Sequence, residues 1–493
     1  MISHWAATQP ERLAAIENDV AFSYAMMSSG AIYLRDRFRA AGVTAGAHAI
    51  VYIQSPIDSR LAIYALRMLG ADVVPIPHLS GYASRLASLP DALLVMSEIE
   101  LKLGAAARPD DLGIPLHLVP AALRDEMHRP RDPSSDPIVM SGRVHAHSSG
   151  TTGPAKRLVL VNAIENEINE RRADHLGMTQ GSLTYCGSMG AWGIGGFRPP
   201  VMMWHLGAVA VFEYGKDRER DICKHGVTHA YTVPTSLAQI CRDWPAERGR
   251  IDGTMLLSGG GPMSAPLIRA TVSRLTRRIV NVYGASELSF PPLEGRFEGD
   301  PAGINWLEVQ SGVEVEIVRD DGSPAAVGET GRLRVRTGPD YPQRYEDAPE
   351  ASARHFRDGA FYPGDLAVRR ADGRIRIAGR EDDVLNLKGS KRPSGPIEAR
   401  LLEMLEVEAV CVFVGLDGEG VETLVVCIEN DGRVSKDALR DAARALAREG
   451  RVAFSLHKRF PRGSNGMGKV LRRELRAASF AKIGMQEQGS VNA

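Results

Sequence analysis

The sequence predicts a layered α/β protein of more than one domain. Two observations carry this expectation. Apolar runs of strand length alternate with segments of helical periodicity through roughly the first 80 residues, and strands separated by helices of that size build layered α/β sheets. The chain is also 493 residues long, more than one hydrophobic core usually spans, so two or three domains are expected. A hydrophobic content of 44% supplies core enough for them.

The elements follow in order. Residues 28–41 are periodic at helical spacing, Ala49-Ile50-Val51-Tyr52-Ile53 reads as a buried strand, and Arg60 to Gly70 is helical again. Ala71-Asp72-Val73-Val74-Pro75-Ile76-Pro77 reads as a strand stopped by proline. Residues 80–145 are less informative, and Arg129 to Pro137 is a polar, proline-rich surface connection. It leads to His147-Ser148-Ser149-Gly150-Thr151-Thr152-Gly153-Pro154-Ala155-Lys156-Arg157, followed by apolar Leu158 to Val161. Glycines let a backbone approach a phosphate, N–H groups and hydroxyls donate to its oxygens, and a lysine adds a cation. The common nucleotide loop GxxxxGK[ST] does not fit, because Pro154 and Ala155 precede the lysine and Arg157 follows it.

Residues 162–177 read as an amphipathic helix, and residues 183–212 are glycine-rich. Val227 to Pro234 is a strand in which His229 is expected to be packed or hydrogen-bonded, since no second metal-type residue stands at a useful spacing. Leu256-Leu257-Ser258-Gly259-Gly260-Gly261-Pro262 is a strand running into a glycine turn, against which a flat base can lie. Ile279-Val280-Asn281-Val282-Tyr283-Gly284-Ala285-Ser286-Glu287 is a strand ending in hydroxyl and carboxylate groups. Phe361-Tyr362-Pro363-Gly364-Asp365-Leu366 precedes a hairpin turn at Asp372-Gly373-Arg374 and then Ala378-Gly379-Arg380-Glu381-Asp382-Asp383. Further on, Val384 to Lys391 reads as a hairpin, Ala409 to Val414 and Thr423 to Ile428 as strands, and Lys436 to Glu449 as a charged helix. Near the end, Gly463 to Lys469 matches GxxxxGK by accident, since Val470 supplies no hydroxyl for magnesium.

Taken together, the loop at residues 148–156, the Tyr283 to Glu287 element, the Asp365 and Arg380 stretches and the terminal Pro461-Arg462 to Gly468-Lys469 element resemble the adenylate-forming superfamily. That superfamily comprises acyl-CoA synthetases, peptide-synthetase adenylation domains and luciferases. The resemblance implies a large multi-layer N-terminal domain, two α/β sheets plus a small β-barrel, over residues 1–380, and a small mobile α+β domain over 381–493. It implies that Ser148, Ser149, Gly150, Thr151, Thr152, Gly153 and Lys156 hold the outer phosphates of ATP. It further implies that Gly259, Gly260, Gly261, Asn281, Tyr283, Gly284 and Ala285 surround adenine, that Ser286 reaches the α-phosphate, and that Glu287 holds magnesium, an ion that prefers hard oxygen ligands. By the same resemblance Asp365 and Arg380 contact ribose, Asp382 is the hinge, Gly389 lies on the thiol tunnel, and Lys469 is the mobile cation of adenylation. Trp192 is placed in the acyl pocket, with an ordinary core position as the alternative.

The implied activity is ATP-dependent conversion of a carboxylic acid to acyl-AMP, then transfer to a thiol. The acceptor is coenzyme A or the phosphopantetheine of an acyl carrier protein. Residues 451–458 lack the family's usual approach to the last element, which leaves that choice open. A luciferase-type oxygenase and a catalytically silent nucleotide- or acyl-binding protein are the other readings. Lys+Arg and Asp+Glu are both 60, so nothing favours a nucleic-acid or membrane partner. The oligomeric state is left open, a homodimer being one option. The odd, scattered set Cys186, Cys223, Cys241, Cys411 and Cys427 suits reduced thiols. No apolar stretch of about 18 residues and no signal-like N-terminus is present, so a soluble cytoplasmic protein is expected.

Overall fold

The computed structural model describes residues 1–79, 86–87, 89–102, 112–133, 140–148, 155–160, 162, 165–187, 190–213, 222, 224–339, 341–387, 390–430, 432–463 and 469–487. The architecture is mixed α/β and rests on several sheets.

The largest sheet has nine strands. Its centre is parallel: Leu13–Glu17, Val209–Phe212, Leu183–Gly187, His229–Thr232, Met255–Gly259 and Ile279–Tyr283. Antiparallel strands flank it, Val20–Ser23 at one edge and Leu293–Arg296 with Glu308–Val309 at the other. A six-stranded sheet runs in the order Leu116–Val119, Ala92–Ser97, His48–Tyr52, Asp72–Pro75, Val144–Ser148, Lys156–Leu160, parallel except for its last pair. One apolar cluster draws on both sheets, with Ala49, Val73 and Val95 from one and Phe212, Leu257 and Val280 from the other. The near-continuous apolar runs of these strands follow from burial on both faces.

Local chemistry sets the first helices. Ser23 accepts from the Met26 N–H and starts Tyr24–Ala40; Ser55 accepts from the Asp58 N–H, with Pro56 at the first helical position, and starts Pro56–Met68. Hydroxyl caps and an N-terminal proline are ordinary start signals. The helix Ile194–Leu206 was not expected, because it contains Gly195, Gly196, Pro199 and Pro200. Pro200 lacks the N–H that would bond the Gly196 carbonyl. Buried Arg60 takes that carbonyl instead, its Nη2 donating at 2.6 Å.

The third sheet, where a small barrel was expected, is antiparallel and six-stranded: Phe356–Arg357, Ala360–Phe361, Thr330–Arg336, Asp365–Arg369, Ile375–Arg380, and Val315–Val318 pairing with Thr330–Arg336. Gly373, at φ +88°, turns the chain between Asp365–Arg369 and Ile375–Arg380. Beyond it come the hairpin Val384–Leu387 with Ser390–Pro393 and a sheet ordered Arg451–His457, Glu422–Glu429, Val410–Leu416, Gln486–Glu487. The two apolar clusters of this last stretch contain no residue before Leu385. Among the described residues no helix is long and apolar enough to cross a membrane. Cys186, Cys241, Cys411 and Cys427 are buried and free, and Cys223 lies outside the described residues.

Candidate functional site

A cavity of about 1610 Å³ opens at the carboxyl ends of the parallel strands of the nine-stranded sheet, between them, the antiparallel sheet and the C-terminal segment. This is where open α/β sheets offer converging loops to a ligand.

Ser148 and Lys156 reach the cavity from the six-stranded sheet and are direct partners across its antiparallel pair. Register therefore fixes both at one rim. Ser149, Gly150, Thr151, Thr152 and Gly153 between them, and Gly389 further on, lie outside the described residues. Gly259, Gly260 and Gly261 also line the cavity. Gly260 has φ +87°, a conformation that glycine adopts at no steric cost.

The strand Ile279–Tyr283 brings Asn281 and Tyr283 to the cavity, and the 3₁₀ turn Ser286–Leu288 follows Gly284 and Ala285. The buried Asn281 amide donates to Asn305 Oδ1 at 3.0 Å. Tyr283 donates its hydroxyl to Asp365 Oδ2 at 2.5 Å, and Arg380 Nη1 donates to Asp365 Oδ1 at 3.0 Å. Burial, with the neighbouring Asp365 charge, pushes the Tyr283 phenol well up, so it stays a donor. Burial opposes the Arg380 charge, and Asp365 outweighs it to hold the guanidinium above its usual value.

Glu287 is buried, and its Oε1 accepts from the Tyr345 hydroxyl at 2.6 Å. Lys156 Nζ lies 5.0 Å from the centroid of the same tyrosine ring. Burial pulls the Lys156 ammonium down, Glu287 resists, and Arg354 and Arg380 add to the fall. Lys469 enters the same cavity from the far end of the chain. Burial and then Arg380 lower it, against Asp365 and Glu287. Two lysines remote in sequence thus share one enclosure with the buried carboxylates of Glu287 and Asp365. Asp382 is exposed at the cavity edge, in the turn Glu381–Asp383.

Trp192 is a correction. It is not among the residues lining the cavity; its ring covers Gly190, where an added Cβ would fall 1.5 Å from it, and its carbonyl accepts from the His147 N–H at 3.0 Å. The apolar wall comes instead from Ile194, Pro199 and Met202 of the helix Ile194–Leu206, with Ile168, Tyr231 and Phe290. Sequence reasoning also missed Tyr345, Asn169 and Arg198. An arginine inside an apolar, glycine- and proline-rich segment was the available signal for the last. His229 is hydrogen-bonded as expected, Nδ1 with Thr228 Oγ1 at 2.8 Å and Nε2 with the Leu176 carbonyl at 3.2 Å.

For a hard cation the cavity offers Glu287, whose second carboxylate oxygen makes no hydrogen bond among the described residues. Away from it, His48, Asp72 and His145 gather three metal-type groups within 4.8 Å of one another. Arg143 already binds both Asp72 oxygens and Arg157 Nη1 stands 2.6 Å from His145 Nδ1, so two guanidiniums hold the place of a cation.

Comparison with known proteins gives a consistent result. The profile of the family described as AMP-binding enzyme matches residues 2–342. A long-chain-fatty-acid–CoA ligase of Salmonella typhimurium is 30% identical over 272 residues, covering 54% of this chain and 47% of that protein. The chain thus matches about half the length of that relative. A sulfoacetate–CoA ligase of Cupriavidus necator is 26% identical over 501 residues, covering 96% of each chain. The structure of o-succinylbenzoate coenzyme A synthetase from Bacillus subtilis, solved with ATP and magnesium ion, superposes with a TM-score of 0.79 at 21% identity, over 96% of this chain and 98% of that one.

Proposed function

The chain belongs to the AMP-binding enzyme family, and from that premise we propose that it is an ATP-dependent, AMP-forming carboxylate–coenzyme A ligase. The observation that supports this best is the convergence of Lys156, Lys469 and buried Glu287 on one cavity.

A carboxylate is a poor acyl donor because oxide is its leaving group. In the proposed first step a carboxylate oxygen forms a bond to the α-phosphorus of ATP, the bond from that phosphorus to the bridging oxygen breaks, and pyrophosphate leaves. Such a transfer asks the protein for positioning and for compensation of charge on the phosphate oxygens. Lys469 serves the reacting centre; Lys156 and Ser148, with Ser149, Thr151 and Thr152, serve the outer phosphates. Tyr283, Asn281 and the glycines 259–261 hold adenine, Asp365 and Arg380 hold ribose, and Ser286 reaches the α-phosphate. Glu287 fits magnesium, which takes one or two carboxylates beside substrate phosphates and, when bound, neutralises phosphate charge. No general base is needed, since the attacking carboxylate is already ionised.

In the second step a thiolate attacks the acyl carbonyl carbon and AMP leaves with the bonding pair. Residues 381–493 act as a mobile domain turning at Asp382, which withdraws Lys469 and opens a path past Gly389 for the thiol. The relatives named as coenzyme A ligases support coenzyme A as acceptor.

The test is pyrophosphate release from ATP over a panel of carboxylic acids, then thioester formation on adding coenzyme A or a phosphopantetheinylated carrier protein. Acid-dependent release with a coenzyme A thioester is expected. Binding of ATP with no release for any acid would refute the reading, and thioester on the carrier protein alone would correct the acceptor.

A further inference from the structure

Among the cavity-lining residues, the apolar side chains of Ile168, Ile194, Met202 and Phe290 are interleaved with the polar ones of Asn169, Arg172, Arg198 and Ser289. Arg198 stands on the helix Ile194–Leu206, with its side chain 11% exposed. Its guanidinium makes no hydrogen bond among the described residues, and Nε and Nη1 are buried without one. The Asn169 Nδ2 and Ser289 Oγ atoms are buried and equally without partners, on residues 1% and 5% exposed. Arg172 Nη1 and Nη2 are also buried without a hydrogen bond, but Arg172 has an ion-pair partner in Glu294; buried donors are almost always satisfied, so the orphans on Arg198, Asn169 and Ser289 point to an absent acceptor.

The charge balance agrees. Arg198 Nη1 lies 3.7 Å from Glu165 Oε1, too far for a hydrogen bond, and Glu165 is already held by Arg67 Nη2 at 2.9 Å. Arg172 is committed to Glu294, which also takes His175 at 2.7 Å. Arg67, Arg172 and Arg198 therefore face Glu165 and Glu294, and one positive charge is left over. Burial pulls the Arg198 guanidinium below its ordinary value, opposed by Glu165, as expected of a cation stripped of water without full compensation. A cavity built for a methyl-terminated acid has no use for such a group. An oxyanion satisfies it, because the guanidinium fork matches two oxygens in one plane.

We propose that the acid activated here carries a second oxyanion, a carboxylate or sulfonate, at its far end, and that Arg198 reads it with the amide of Asn169. The intervening spacer is apolar and packs on Ile168, Ile194, Met202 and Phe290. Arg198 is a specificity residue, apart from the groups proposed to handle phosphate. The inference rests on the adenylation reading given above.

The test measures kcat/KM for pyrophosphate release by the full chain on acids of graded length, each in three forms: methyl-, carboxylate- and sulfonate-terminated. At the best length one of the anionic forms exceeds its methyl-terminated match by about a hundredfold or more, as in sites whose buried polar groups are left unpaired by the wrong substrate. Which anion wins identifies the class. Arg198→Met collapses that preference to less than about tenfold, and Arg198→Lys, which keeps the charge but loses the fork, lies between the two. Equal or better use of methyl-terminated acids by the wild type overturns this inference and leaves adenylation standing. So does an unchanged preference in a folded Arg198→Met variant. Release with no acid of any form overturns adenylation itself, and this inference with it.

Discussion

Replacing Lys469 by alanine separates the two half-reactions. The ammonium shares its enclosure with Arg380, Asp365 and Glu287, and burial followed by Arg380 lowers it. In the proposed adenylation step it meets charge developing on the α-phosphate oxygens, where the surrounding protein replaces water. Losing one preorganised donor to such a charge costs roughly 2.7–4 kcal/mol, or about 10²–10³ in rate. Lys469→Ala is therefore expected to slow acid-dependent pyrophosphate release by about that factor. Thioester formation from acyl-AMP supplied ready-made should stay within about threefold of wild type. The folded protein should not lose stability. Because the folded-state value of this lysine lies below the unfolded one, the folded chain binds fewer protons between the two values, and stability rises with pH there; the variant loses that rise. Near-normal pyrophosphate release by Lys469→Ala would refute the assignment, and so would an equal fall in both half-reactions.

Other expectations follow from the same geometry. Tyr345→Phe removes the 2.6 Å bond to Glu287, so unfolding free energy should drop by about 1.5–3 kcal/mol, with a higher magnesium requirement for pyrophosphate release; unchanged stability and magnesium dependence would contradict it. Asp365→Asn leaves Arg380 without its 3.0 Å carboxylate partner, and removing one member of such a pair costs about 3–5 kcal/mol when it is buried, less here because Arg380 is partly exposed; ATP binding should weaken at least about tenfold by calorimetry. Burial pushes Asp58 up to about 6, with Arg124 resisting, and Glu100 up to about 7, with the Gln54 N–H resisting. Both folded values lie above the unfolded ones, so the stability they contribute is present below about pH 4 and lost as pH rises through about 7. Asp58→Asn should flatten the lower half of that decline, by roughly 3 kcal/mol at most, in denaturant titrations from pH 4 to 8.

How much of this was legible beforehand varies by element. The strands His48–Tyr52, Asp72–Pro75 and Met255–Gly259 fall where continuous apolar runs place them, and the turn at Gly373 falls where its sequence puts it. Helix starts were less exact: Tyr24–Ala40 begins before residue 28, because the Ser23 cap, not the apolar period, sets its first turn. The assignment of Trp192 to the acyl pocket failed because counting residues along the chain says nothing of which way a ring turns once Gly190 leaves room beneath it.

By itself the sequence determined the family resemblance, the order of the motifs that carry it and the elements whose hydrogen bonds close within a few residues. Tertiary structure alone decided three things. The Gly196 carbonyl that Pro200 leaves free inside a helix is taken by Arg60, 136 residues away. Glu287 is fixed by Tyr345, 58 residues away. Arg198 is left with charge to spare because Arg67 already holds Glu165. The physical reason is common to all three: periodicity and turn chemistry report on neighbours along the chain, whereas a buried polar group is settled by whatever partner the packed core brings to it across space.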